Sequence, residues 1–149
     1  MNGLNTLMLK EKLQLFFIED IGEGDRTTAA IFSPQDIQTG TLTVKEAGVM
    51  AGLSIIALGY QLLDPSVKVE LHCKDGDFVE KGMHIASVSG PVTVLLTGER
   101  VILNLLQRMS GIASFTYQAV TELGESHTRI CDTRKTTPGL RIFEKYAVQ

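Results

Sequence analysis

Residues 128–148 read TRICDTRKTTPGLRIFEKYAV. Thr128 to Asp132 has the short, partly β-branched and apolar character of a strand. Thr133 to Gly139 is dense in hydroxyls and closes on Pro138-Gly139, which predicts a loop. Leu140 to Val148 then opens a helix. Strand, loop and helix in that order make the first unit of an α/β domain. A parallel strand needs neighbours along both edges. None follows here, so the expectation is an unpaired edge at 128–132 and an uncovered apolar face on the next helix, both favouring self-association.

The stretch before it has a different period. Val94, Val101, Ile102, Leu105 and Met109 form an apolar stripe, while Arg100, Asn104 and Arg108 recur every four residues on another face. A long helix from Val92 is predicted, bent or broken at Ser110-Gly111 and resuming to about Leu123. Further back, Leu4 to Glu19 carries Leu9, Leu13, Phe16 and Phe17 at helical spacing, and Ala51 to Leu63 repeats the pattern until Asp64-Pro65 stops it. Strands are predicted at 39–47, 67–73 and 85–88, with turns at Asp75-Gly76-Asp77 and Gly90-Pro91. The early part therefore reads as an α+β sandwich and the last part as the start of an α/β domain.

Composition bounds what such a chain can do. It has 149 residues, is 44% hydrophobic and carries a net charge of −3, enough for a sizeable core and without the basic surplus of nucleic-acid or membrane-surface binders. Anion binding must come from a few positioned cations. Cys73 and Cys131 lie far apart outside any CxxC pair, so neither a zinc site nor a disulfide is indicated, and both are read as buried, reduced thiols. Lys10, Glu11 and Lys12 interrupt the apolar N-terminus, unlike a signal peptide. No apolar run approaches the ~20 residues of a membrane span. A cytoplasmic protein is expected.

Three segments are candidates for chemistry. In Asp132-Thr133-Arg134-Lys135-Thr136-Thr137, the cations follow a strand's carboxyl end, the edge where α/β folds bind ligands. Arg134 offers a planar fork for a carboxylate or phosphate, Lys135 a compact charge, and the threonines hydroxyl donors. The same residues also suit a solvated basic turn with Thr136 or Thr137 as N-cap and Pro138 at N1. Arg100 in the long helix could present a cation to a pocket, or belong to an ordinary solvated face. The acids and glycines of Glu19 to Thr28 lack EF-hand spacing and read as a tight turn. His72, His84 and His127 have no neighbour at nucleophile or metal spacing.

Taken in order, EDIGEGDRTT (19–28), GVMAG (48–52), DGDFVEKG (75–82), LLTGERVILNLLQRMSGIA (95–113) and DTRKTTPGLRIFEKYAV (132–148) resemble the nicotinate-nucleotide pyrophosphorylases, or quinolinate phosphoribosyltransferases. The resemblance covers nearly the whole chain. A molybdenum-transport-associated branch of the superfamily shares the acidic motif, and the full DTRKTTPGLR loop favours the quinolinate enzyme.

The resemblance implies an N-terminal, barrel-sandwich-like α+β domain with a long linking helix over 1–110. The first βα unit of a phosphoribosyltransferase α/β barrel would occupy 111–149. It implies conversion of quinolinate and 5-phosphoribosyl 1-pyrophosphate (PRPP), with Mg2+, to nicotinate mononucleotide, pyrophosphate and carbon dioxide in NAD biosynthesis. Arg134 and Lys135, with Thr133, would line the site, Arg134 on a quinolinate carboxylate and Lys135 facing the phosphoribosyl donor. Arg100 would enter the neighbouring subunit's site, making a homodimer with shared sites. The family's later Asn-His-Arg and Lys-Asp-Asn-His segments and its acidic metal-holding residues do not occur in these 149 residues, so the expectation is that they do not catalyse the full reaction alone. Two other readings are a non-catalytic truncated subunit and a biotinyl- or lipoyl-like binding module over Val69 to Leu95, which lacks the usual Met-Lys-Met or Asp-Lys-Ala tip.

Overall fold

Apolar residues four apart decide the first helix. Leu9, Leu13 and Phe17 share one face of α1 (Thr6–Ile21) and are buried. The structure, a computed structural model, describes residues 6–22, 24, 26–33, 35–124 and 127–149. Gly22 and Gly24, both at positive φ, turn the chain out of α1 and towards α2 (Arg26–Ile31). Then come β1 (Ile37–Thr43), β2 (Gly48–Val49), α3 (Ser54–Leu63), β3 (Lys68–Leu71), β4 (Phe78–Val79), β5 (His84–Pro91), α4 (Val92–Leu123) and α5 (Arg141–Ala147).

The described residues form a mixed α/β fold with two open antiparallel sheets. One has the order β1-β5-β3, pairing Thr39 with Ser89 and Val69 with Val88; the other pairs β2 with β4. β5, the central strand, buries Ile85, Ala86 and Val88. α4 gathers the rest, touching the other four helices and β1, β2 and β5. Its stripe of Val101, Ile102, Leu105, Leu106 and Met109 is buried along with Ile55 and Ile56 of α3.

Two glycines let α3 and α4 approach closely. A Cβ at Gly59 would stand 2.9 Å from Ile102 Cγ1, and one at Gly98 would stand 2.8 Å from a Tyr60 ring carbon. The expected break at Ser110-Gly111 does not occur: α4 runs unbroken for 32 residues. Its serines are used in place. Ser114 Oγ accepts the Val49 N–H at 2.8 Å and donates to Ser110 O at 2.7 Å, and Ser110 Oγ accepts the Ala51 N–H at 3.2 Å. The Val49 and Ala51 donors beside β2 are thus satisfied by the helix, while the Met50 N–H between them goes to Asp77 O at 3.0 Å.

Residues 128–132 form no strand. A strand is completed by ladder partners, and no described strand pairs with this segment. Ile130 and Cys131 are exposed and Cys73 is half-buried, both thiols being free, so the expectation of two buried cysteines fails. Nor is the helix that follows uncovered. Phe143 of α5 is fully buried with its ring 5.9 Å from that of Phe16, and Ala147 is buried with it. Tyr146 Oη donates to Asp75 Oδ2 at 2.7 Å, while Asp75 Oδ1 accepts the Leu53 N–H at 2.9 Å. One carboxylate of the 75–77 turn thereby ties α5 to the start of α3. Burial, and then Asp75, push the Tyr146 phenol up to about 12. Neither Thr136 nor Thr137 caps α5, which begins beyond them at Arg141 with Leu140 as its flanking residue.

A buried carboxylate completes the docking. Glu144, only 9% exposed, accepts from Arg108 Nε at 2.8 Å and also from Arg108 Nη2, and takes the Thr137 N–H at 3.2 Å. Desolvation alone would raise its pKa, but the hydrogen bonds from Arg108 and Thr137 outweigh it, and the net shift is downward. No helix among the described residues is long and apolar enough to cross a membrane.

Two outcomes are expected from this packing. Phe143→Ala should destabilise the chain by about 3–5 kcal/mol, the usual range for emptying a buried phenylalanine site, read as a lower urea midpoint by circular dichroism. The depressed Glu144 pKa means that its ionised form contributes stability in full above the ordinary glutamate value. That contribution fades as pH falls through the lower folded value. Acid titration of urea stability should therefore show a loss that Glu144→Gln removes.

Candidate functional site

The 132–137 loop owes its shape to bonds at nearly every position. Lys145 Nζ pairs with Asp132 Oδ2 at 2.7 Å, Thr133 Oγ1 accepts the Lys135 N–H at 3.1 Å, and Arg141 Nε donates to Thr136 Oγ1 at 3.2 Å. Thr137 is held twice, its N–H by Glu144 and its hydroxyl by Arg108 Nη2. Arg134 and Lys135 are exposed, and their side chains make no hydrogen bond or ion pair among the described residues. The loop thus presents two neighbouring free cations on a fixed backbone, with a threonine hydroxyl beside them that can still donate. That arrangement suits a small anionic ligand.

Arg100 stands apart from this loop. It lies on α4, roughly 12 Å of helix rise from Arg108, and its Nη1 pairs with Asp20 Oδ1 of α1 at 3.0 Å. Its side chain is 72% exposed, and a hollow of about 340 Å³ beside it is lined by Leu96, Glu99, Leu103, Asn104 and Gln107. Of the polar stripe Arg100, Asn104 and Arg108, the residue that reaches the loop is Arg108, which the sequence placed on a solvated face. Its partner Glu144 sits 36 residues away, so no local spacing announced the pair. The acidic segment 19–28 supplies Asp20 to Arg100, while Glu23 and Asp25 lie outside the described residues.

A cavity of about 1270 Å³ lies between β1 and α4 and includes Thr39, Thr41, Leu96, Leu103 and Gln107 in its lining. It contains none of Arg100, Thr133, Arg134 or Lys135. Its lining holds one cation, Lys45, beside the acids Glu46 and Glu99, a poorer match for a multiply anionic ligand than the loop with adjacent Arg134 and Lys135, so the cationic loop is the better candidate. Burial first, then the carboxylates of Asp77 and Asp75, push the Cys73 thiol up, away from a nucleophile's range. His72 spends its Nε2 on Ser87 Oγ at 2.8 Å. Among the described residues no three His, Cys, Asp or Glu side chains cluster as a metal site would require.

Known proteins of the same kind exist. Residues 25–110 match the family described as quinolinate phosphoribosyl transferase, N-terminal domain, and residues 112–149 match its C-terminal domain. A probable nicotinate-nucleotide pyrophosphorylase [carboxylating] of Bacillus subtilis is 52% identical over 146 residues, which is 98% of this chain and 50% of the relative. The chloroplastic nicotinate-nucleotide pyrophosphorylase [carboxylating] of Arabidopsis thaliana is 40% identical over 96% of this chain and 41% of its own length.

The crystal structure of NadC from Streptococcus pyogenes superposes with a TM-score of 0.95 at 41% identity, over 99% of this chain and 53% of that one. The nicotinate-nucleotide pyrophosphorylase from Francisella tularensis gives 0.91 at 29% identity, over 99% and 52%. The chain spans about half the length of the relatives it matches. The stretch from Val69 to Leu95, considered above as a carrier module, falls within the N-terminal match. Over both of its matched segments, this chain belongs to the quinolinate phosphoribosyl transferase family.

Proposed function

We propose that these residues are the N-terminal part of an enzyme that joins quinolinate to the ribose of PRPP, releasing pyrophosphate and carbon dioxide and forming nicotinate mononucleotide for NAD synthesis. The observation that carries this reading is the adjacent pair Arg134 and Lys135, exposed and without a side-chain partner among the described residues, on a loop that is otherwise held. A dicarboxylate and a sugar pyrophosphate both require positioned cations, and the net charge of −3 supplies no diffuse substitute.

Arg134 grips a quinolinate carboxylate with its fork, and Lys135 faces the phosphoribosyl donor, where its charge offsets that of the departing pyrophosphate. Thr133 donates its hydroxyl into the same site. A magnesium ion accompanies the donor in this proposal. The described residues do not form a cage for it, so its ligands are assigned outside them. Residues 1–110 are proposed as the sandwich domain with its linking helix, and residues 111–149 as the opening of the barrel. Segment 128–132 would then become a strand once neighbouring strands pair with it. Arg100, well away from the loop of its own subunit, serves the partner's site in a cytoplasmic homodimer.

The test is a chimera in which residues 1–149 replace the matching half of the Bacillus subtilis relative. It should release pyrophosphate from PRPP only when quinolinate is present, whereas the 149 residues alone should release none. Absence of quinolinate-dependent turnover in a folded chimera would refute the reading.

Within an active chimera, Arg134→Lys keeps the charge but loses the fork, and should cost about 2–4 kcal/mol in kcat/KM. Arg100→Ala should be similarly damaging. If Arg100 serves the partner's site, mixing that variant with Arg134→Ala should recover roughly a quarter of full activity after free subunit exchange, since half the dimers then hold one intact site. No recovery after verified exchange would rule out the shared site.

A further inference from the structure

Three α5 side chains hold three loop residues. Arg141, Glu144 and Lys145, spaced to share one helix face, meet Thr136, Thr137 and Asp132. Two of these links are exposed, and single exposed contacts of that kind stabilise little. Glu144 differs. Its buried carboxylate takes two donors from Arg108 and one from the Thr137 backbone, while Arg108 reaches on to the Thr137 hydroxyl. A buried carboxylate left without its cation is strongly unfavourable, so this link resists opening more than its neighbours do. It is also the loop's polar connection to α4, the helix that carries Arg100.

We infer that Arg108 and Glu144 are positioning residues, which clamp Thr137 and so fix the backbone that presents Arg134 and Lys135. This deepens the proposed phosphoribosyl transfer and rests on it. A bidentate grip tolerates only about 0.5 Å and 10–20° of misplacement, and Arg134 is three residues from the clamped threonine. Arg108 commits its Nε and Nη2 to Glu144 and Thr137, the bonds by which it holds the loop, and Glu144 is nearly buried beneath them. The groups facing the Glu144 carboxylate are Arg108 from α4 and Thr137 from the loop, while α1 contributes the Phe16 ring beside Phe143 to the same docked helix.

The first measurement needs no turnover. Backbone amide NMR shifts of the 149-residue chain are followed through acid pH, in the native protein and in Glu144→Gln. Arg134 and Lys135 amides should carry, with Thr137, a titration lying below the ordinary glutamate range that Glu144→Gln abolishes. Ile55 and Ile56 amides should keep their positions, marking an intact core. A Glu144-dependent titration confined to Thr137 overturns the inference.

If Glu144→Gln does not fold, Arg108→Lys is read instead. It keeps a cation but loses the fork, and should move the Arg134 and Lys135 amides at neutral pH; unchanged amides overturn the inference. In the chimera, Glu144→Gln should raise KM for quinolinate about tenfold with kcat within about twofold, as for loss of uniform binding. A fall in kcat at unchanged KM counts against positioning. An inactive parent chimera counts against the functional reading, and the amide titration then decides the clamp by itself.

Discussion

The burial of the α4 stripe is the constraint on which the remaining structure depends. Val101, Ile102, Leu105, Leu106 and Met109 are buried on one broad face, spanning about 140° at 3.6 residues per turn, so that face of α4 must be covered along its length by several elements. α3 approaches through Gly59 and Gly98, and the β2 region is held by Ser110 and Ser114. α1 and α5 join the same cluster. Each apolar side chain fully buried there contributes on the order of 1.5–3 kcal/mol, more than any one of the exposed polar contacts. Rigidity at α4 is therefore inherited by everything bonded to it, including the loop.

The polar clamp between α4 and α5 is better understood as a device for geometry than as a source of stability. The Glu144 side chain is 11% exposed and that of Arg108 44%, so one partner is nearly desolvated and the other is not. Desolvation of the carboxylate offsets much of the attraction, and an apolar pair of similar shape would stabilise the interface as well or better. An apolar pair could not also accept a backbone N–H and donate to a hydroxyl on the adjoining loop. Phe143 and Ala147 supply the attraction between α5 and the body of the fold, and the charged pair sets the register of the loop.

Much of this was legible in the residues, and the failures have identifiable causes. Helical periodicity located α1, α3 and α4 because each buries a face wide enough to leave a repeat. Ser110-Gly111 resembled a bend or break because the partner of Ser110, Ala51, lies 59 residues away, and a hydroxyl that bonds across space has no local signature. The strand at 128–132 was a sound reading of propensity without the neighbours that convert propensity into a ladder. The apolar face of the last helix was expected to lie uncovered for want of barrel neighbours, and its actual cover, with Phe16 against Phe143, comes from a helix remote in sequence. Around the candidate site, Arg134 and Lys135 stood out because the two cations are adjacent in the chain. Arg108 did not, since Glu144 arrives only through folding.

The two arginines of α4 differ in a way that bears on the roles proposed for them. Arg108 is locked by several bonds to a buried acid. Arg100 is held by one contact to Asp20 with most of its side chain in water, where an ion pair contributes about 0–1 kcal/mol. Surrendering that contact to an incoming carboxylate or phosphate therefore costs little, while Asp20 limits the directions in which the guanidinium can wander beforehand. A cation meant to meet a ligand from outside its own subunit should be restrained in this manner, oriented but cheaply released. A cation meant to hold a loop should be bound as Arg108 is. The same helix face thus carries one arginine available for exchange and one committed to structure, separated by about two turns.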